Sequence, residues 1–241
     1  MSRHEPMFNV PASVLAVLAT MVVVHAVRIN LGEDWDTWLT LALAFIPARY
    51  SGFAAQLPGG DIASVTSFLT HTLVHGDWIH LALNGAWLVA FGAAIANRVG
   101  TMRFLLLYAF CAVAGAATFL AVNPGLMMPM VGASGAISGL MGATMRFLFS
   151  ATDGPGLAAL REDPRSVPLM PLKVALTDRR VVVVTIVFLI ANLLAVFGLG
   201  SVGVSGIAWE AHIGGYFAGL LFFGFFDAPQ TDNSSDRVFL H

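Results

Sequence analysis

Six apolar runs, each close to the length that crosses a lipid bilayer, limit this fold more than any other feature. They lie at 10–31, 78–96, 103–122, 134–149, 181–200 and 209–226. A spanning helix needs about 20 mostly apolar residues. Inside hydrocarbon every backbone polar group must be satisfied within the protein, which leaves helices or closed barrels. Runs of this length fit helices. The fourth is short for a span, as expected of a helix whose first turn starts below the membrane surface and faces a cavity. Composition agrees: 57% of residues are hydrophobic and 11% charged, against about 25% charged in a soluble domain. The expectation is an all-α polytopic membrane protein with a six-transmembrane-helix bundle. One core would run over 10–227, between a short N-terminal segment (1–9) and a polar tail (228–241). A cleaved signal peptide competes for the first run. No convincing small-x-small site follows it, so it reads as a retained helix.

Charge sets an orientation. Of the 12 Lys and Arg residues, only Arg28 and Arg49 fall on one side of a six-span arrangement. Arg3, Arg98, Arg103, Arg146, Arg161, Arg165, Lys173, Arg179, Arg180 and Arg237 share the other. Basic residues favour the cytosolic side, so both termini are expected in the cytosol. Ser134 and His212 then lie at the same depth, toward the outer face. The net charge of -2 and the absence of a basic block give no footing for nucleic acid. The single Cys111 excludes an intrachain disulfide and any CxxC metal site.

The connections differ in character. The first, 32–77, is long, and its apolar stretch 38–46 is too short to span, so it is expected to lie in or dip into the membrane interface. The stretch 151–178 mixes prolines, glycines and charges and reads as a linker. The loop 200–206 is glycine-rich and expected to be mobile. The tail after Asp227 is polar and expected to fray.

Two residues at membrane depth suggest chemistry. Ser134 opens the fourth run within Gly132-Ala133-Ser134-Gly135-Ala136-Ile137-Ser138-Gly139. At the first turn of a helix it meets free N–H groups and the positive dipole end, both favourable to an oxyanion. Gly135 and Gly139 are four apart, and small residues at that spacing allow a second helix close. Taken alone the run could be packing material only, and it is not the G-x-S-x-G elbow, because residue 136 is alanine. His212, Gly215 and Gly219 share one face of the sixth run, so its natural neighbour is the glycine face of the fourth. That packing would bring an imidazole base to a serine nucleophile. A lone intramembrane histidine is otherwise a packed, hydrogen-bonded residue, yet ionisable groups at this depth point to function.

A third element lies at the outer end of the second run. His80 and Asn84 are four apart and can donate hydrogen bonds toward one point. With the Ser134 N–H they could form an oxyanion hole. His71, His75 and His80 also invite a metal reading, but no carboxylate at HExxH spacing and no nearby cysteine accompany them. His71 and His75 are expected to hydrogen-bond within the first loop and shape the site. Glu210 is two residues from His212, points elsewhere on a helix, and reads as a cap or interfacial group. His25 and Asn192 read as helix-to-helix hydrogen-bonding residues.

The set HxxxN at His80 to Asn84, GASGAISG at 132–139 and AHIGGYFAG at 211–219 resembles the rhomboid intramembrane serine proteases in both order and span position. The resemblance implies Ser134 as nucleophile and His212 as base, a dyad without an acid. It implies oxyanion stabilisation by His80, Asn84 and the backbone near Ala133 and Ser134. Substrates would be single-span membrane proteins, met within the lipid bilayer and cut in or beside the span. The fifth helix and the 200–206 loop would form gate and cap. No cofactor, metal or nucleic acid is implied. The minimal layout resembles the simplest bacterial members, implying an inner (plasma) membrane. Two departures stand out. Some members carry a tyrosine four residues after the nucleophile, stacked on the histidine; here Ser138 occupies that place and something else must hold His212. Some carry Trp-Arg in the first loop, where Thr66-Ser67 stands here. An inactive client-binding relative would have lost the serine or histidine, and both are present. A transporter would be expected to show repeat symmetry and paired broken helices, and neither is seen. A lipid esterase would use the same chemistry on a different substrate.

Overall fold

A computed structural model describes residues 10–196 and 208–227. Among them the regular structure is helical: α1 (Ala12–Ile29), α2 (Glu33–Leu43), α3 (Gly60–Thr70), α4 (Trp78–Trp87), α5 (Ala93–Val99), α6 (Thr101–Val122), α7 (Ser134–Asp153), α8 (Ala159–Glu162), α9 (Leu172–Ala175), α10 (Arg179–Val196) and α11 (Trp209–Phe222). A π-helical turn at Leu88–Gly92 joins α4 and α5 into one rod over Trp78–Val99. Three helices, Ala12–Ile29, Trp78–Val99 and Thr101–Val122, are long and apolar enough to cross a membrane. The fold is thus an all-α membrane bundle. α7 runs four residues beyond the expected end of the fourth run, and α11 stops earlier than the expected end of the sixth, where a 3-10 turn at Phe223–Phe225 takes over. The segments 1–9, 200–206 and 228–241, with the expectations attached to them, lie outside the described residues.

Helix starts follow local chemistry. Asp77 caps α4, its carboxylate accepting from His80 N at 2.8 Å. Asp178 caps α10, accepting from Arg180 N at 2.8 Å and Val181 N at 3.3 Å. Gly100, at φ +81°, turns the chain between α5 and α6 in a conformation that favours glycine.

The centre of the bundle is α7, wrapped by α11, α6 and the α4–α5 rod. α1 joins the same core, with Val14 and Met21 fully buried among residues of α4, α5, α6 and α7. The α7–α11 seam is built of glycines. A Cβ on Gly219 would collide with the Gly139 carbonyl, one on Gly215 with the Gly135 carbonyl, and one on Gly142 with the Tyr216 carbonyl. Gly115 of α6 meets the same seam: a Cβ there would lie 2.8 Å from the Ala211 carbonyl oxygen. At these glycines the backbones touch, and dispersion over many atoms holds helices that gain nothing from the hydrophobic effect in lipid.

The stretch 151–178 corrects the expectation of a linker. Val167, Met170 and Ala175 are buried there. Arg98 donates from Nη1 to the carbonyls of Pro164 at 2.7 Å and Val167 at 2.8 Å, and pairs with Asp227 at 2.8 Å. Arg146 donates to the carbonyls of Met170 at 2.9 Å and Leu220 at 3.0 Å. Two buried guanidinium groups thus satisfy the irregular backbone that a linker would leave to water.

The first loop folds as α2, α3 and short 3-10 turns. It is clamped to the chain ahead of α7 by a backbone pair, Phe45 N to Met130 O at 3.0 Å and Met130 N to Phe45 O at 2.8 Å. Arg28 ties α1 to the loop through Asp36 at 2.8 Å and the His75 carbonyl at 2.9 Å. Trp35, Trp38, Ile62 and Val65 present their apolar surfaces outward, as suits a loop bathed partly in lipid.

Candidate active site

Ser134 is the first residue of α7, and the two residues before it set its position. Gly132 adopts φ +113°, which only glycine tolerates readily, and a Cβ there would lie 2.8 Å from His80 Nε2. Its N–H donates to the His71 carbonyl at 2.9 Å, which binds the approach to α7 to the first loop. Ala133 is the N-cap, its carbonyl accepting from Ile137 N at 2.9 Å, and no side chain caps this end. The first-turn N–H groups of α7 are therefore left without intrahelical partners.

His212 lies in the first turn of α11. Its Nε2 is 2.7 Å from Ser134 Oγ. Its Nδ1 is 2.8 Å from Asn192 Oδ1 on α10. Both side chains are half-buried, neither sealed in the core nor laid open. The glycine seam supplies this geometry: α7 and α11 approach closely enough for a serine and a histidine at matching heights to meet directly.

His80 and Asn84 share a face of α4. Gly76 N–H points at His80 Nδ1 at 3.4 Å, so Nδ1 is the acceptor and Nε2 carries the proton. That Nε2–H lies over Gly132, beside the start of α7. Asn84 is buried; its Nδ2 donates to the His80 carbonyl at 2.9 Å, and its Oδ1 has no partner among the described residues. One hydrogen of this amide remains uncommitted.

The loop histidines divide. His71 Nδ1 bonds within the loop to the Ser67 carbonyl at 2.8 Å. For His75 the loop-holding bond is made by the backbone carbonyl, to Arg28, while the ring lies edge-on to His80 at 5.1 Å. Glu210 is buried and accepts from Asn123 Nδ2 at 2.8 Å, tying α11 to the end of α6 rather than capping a helix. Asn192 does bond between helices, but to His212 itself. Spacing within α10 could not reveal this, because nothing in the sequence gives the rotation of α10 about its axis. The only signal was a polar amide inside an apolar run.

The family model described as the rhomboid domain matches residues 63–228. The chain belongs to the rhomboid family. No curated protein matches it. The rhomboid match runs from within α3 past the end of α11 and so contains His80, Asn84, Ser134, Asn192 and His212. Ser138, where some rhomboids carry a stacking tyrosine, is buried in α7 and has no ring to offer His212.

Proposed function

We propose that this rhomboid is an intramembrane serine endopeptidase acting on single-span membrane proteins. The observation that carries the reading is the 2.7 Å contact between His212 Nε2 and Ser134 Oγ at the head of α7. A serine hydroxyl is a weak nucleophile until a base removes its proton. A substrate helix enters between the α4–α5 rod and α10 and unwinds, freeing its carbonyl. Ser134 Oγ attacks the carbonyl carbon as His212 Nε2 takes the proton. The oxyanion forms against His80 Nε2–H, the free Asn84 amide hydrogen and the backbone N–H groups at Ala133 and Ser134. His212 then protonates the leaving amine, and the acyl-enzyme is released by water that reaches the half-buried dyad. Serine, imidazole and water suffice for this sequence of steps, so no cofactor is required.

The same reading takes the chain as six crossings over a core of 10–227, flanked by 1–9 and 228–241. The distribution of Lys and Arg supports cytosolic termini and a site toward the outer face, and the resemblance to the simplest bacterial members supports a bacterial inner membrane.

The test is cleavage of a generic single-span substrate by the purified protein in liposomes. Wild type is expected to cut, while Ser134→Ala and His212→Ala, both folded, do not. Asn84→Ala is expected to slow cleavage, losing one donor worth about 2.7–4 kcal/mol at most. Cleavage that persists in Ser134→Ala sinks the assignment. Neither cleavage nor labelling of Ser134 by a serine-reactive probe would make the chain an inactive client-binding relative.

A further inference from the structure

Asn192 has a buried side chain whose hydrogen bonds leave it little freedom. Its Nδ2 donates to the Phe188 carbonyl at 2.8 Å, one turn back on α10. That fixes which end of the amide is which: nitrogen toward a carbonyl, oxygen toward His212. The Oδ1 atom can only accept, so the His212 Nδ1 at 2.8 Å must donate. A neutral imidazole with its proton on Nδ1 has its lone pair on Nε2, the atom 2.7 Å from Ser134 Oγ. The opposite tautomer would set a lone pair against Oδ1 and a proton against the serine oxygen, and no base would face the nucleophile.

No stacking ring does this work. Ser138 cannot, and the Tyr216 ring one turn along α11 is taken up by Phe188 at 4.6 Å, with its hydroxyl 2.7 Å from Thr185 Oγ1. Thr185, Phe188 and Asn192 are spaced i, i+3, i+7 and form one face of α10, directed at α11. On the opposite side Val183, Val187, Ile190 and Leu194 are exposed.

We propose that Asn192 is a positioning residue that holds His212 in its Nδ1–H tautomer, Nε2 toward Ser134, in place of the missing tyrosine. This rests on the dyad reading above. Because Asn192 belongs to α10 while the dyad belongs to α7 and α11, the base is oriented only while α10 is seated on α11.

Two readouts test this on the full chain in liposomes: steady-state cleavage of the single-span substrate, and 15N NMR of histidine-labelled protein, which separates protonated from bare ring nitrogens. Asn192→Ala is expected to lose at least about tenfold in kcat, with KM within about twofold, because a wrong tautomer removes the base and not the binding. The His212 signal should shift toward the Nε2–H form. Asn192→Asp, which keeps the acceptor, should recover much of the rate, and Thr185→Val should keep both rate and tautomer. Wild-type kcat with an unchanged Nδ1–H signal in Asn192→Ala overturns the proposal. So does an equal loss in Asn192→Ala, Asn192→Asp and Thr185→Val, which would mark mere helix packing. If wild type neither cleaves nor labels at Ser134, the dyad reading fails by itself, and the NMR comparison still decides whether Asn192 sets the tautomer.

Discussion

The two seams that meet at His212 are built on opposite plans. Between α7 and α11 the glycines bring backbone against backbone along the seam, and the Ser134–His212 contact crosses it at its head. Between α10 and α11, among the described residues, side chains make the polar and ring contacts: the Phe188–Tyr216 stack, the Thr185–Tyr216 hydroxyl pair and the Asn192–His212 bond. A backbone-on-backbone seam has no rotamers and no slack, so it can shift only by unpacking. A side-chain seam is held by a few directional contacts that can break and re-form. The first sets where the Ser134 and His212 backbones are; the second sets which way the imidazole faces. On the proposed reading, a substrate helix could be admitted while the Ser134 backbone stays fixed, because the contact that orients the imidazole is made from a third helix, α10.

The strongest way to break this contrast is one methyl group. Gly219→Ala should drive its Cβ into the Gly139 carbonyl. Since the obstacle is backbone, relief requires α7 and α11 to separate, at a cost of about 3 kcal/mol or more. A large fall in the thermal midpoint in detergent is expected, and a midpoint near wild type would show that the seam has slack after all. The equivalent cut on the other seam is Thr185→Val, which deletes the 2.7 Å hydroxyl pair with Tyr216. About 0.5–1.5 kcal/mol is expected, read as a shift of a few degrees. A loss as large as that in Gly219→Ala would erase the distinction.

The smallest effect is expected at the foot of α10. There the Arg180 guanidinium, first of all, and then the backbone N–H groups of Arg180 and Val181 hold the Asp178 carboxyl at about 2, below its usual range. Its folded value is thus below the unfolded value of about 3.9. The stabilisation is complete above that value and is lost as pH falls toward 2. Acidification from pH 5 to pH 2 should loosen the first turn of α10, seen as faster amide exchange after correction for intrinsic rate. Asp178→Asn should flatten that dependence, and an unchanged slope would remove Asp178 as its source.

Much of this was legible from residue spacing. Gly135, Gly139, Gly215 and Gly219 could be matched because a helix repeats every 3.6 residues and a small residue leaves a gap wherever it falls. Their matching places Ser134 beside His212 from the sequence alone. The stretch 151–178 misled, because prolines and mixed charge look the same whether a chain is loose or is gripped by distant arginines. Arg98 lies 66 residues before the Pro164 carbonyl it holds, and no local pattern carries that information.

The sequence by itself determined the bilayer-length helices, the close approach of α7 and α11, and the serine and imidazole set at one depth. These follow from composition and helical period, which act over a few turns. Only the tertiary structure decided the rotation of α10, and with it that Asn192 meets Nδ1 of His212 and leaves Nε2 to the serine. An apolar helix facing lipid on one side has many rotations of nearly equal hydrophobic energy, and the choice among them is made by a hydroxyl, a ring and an amide finding partners on another helix.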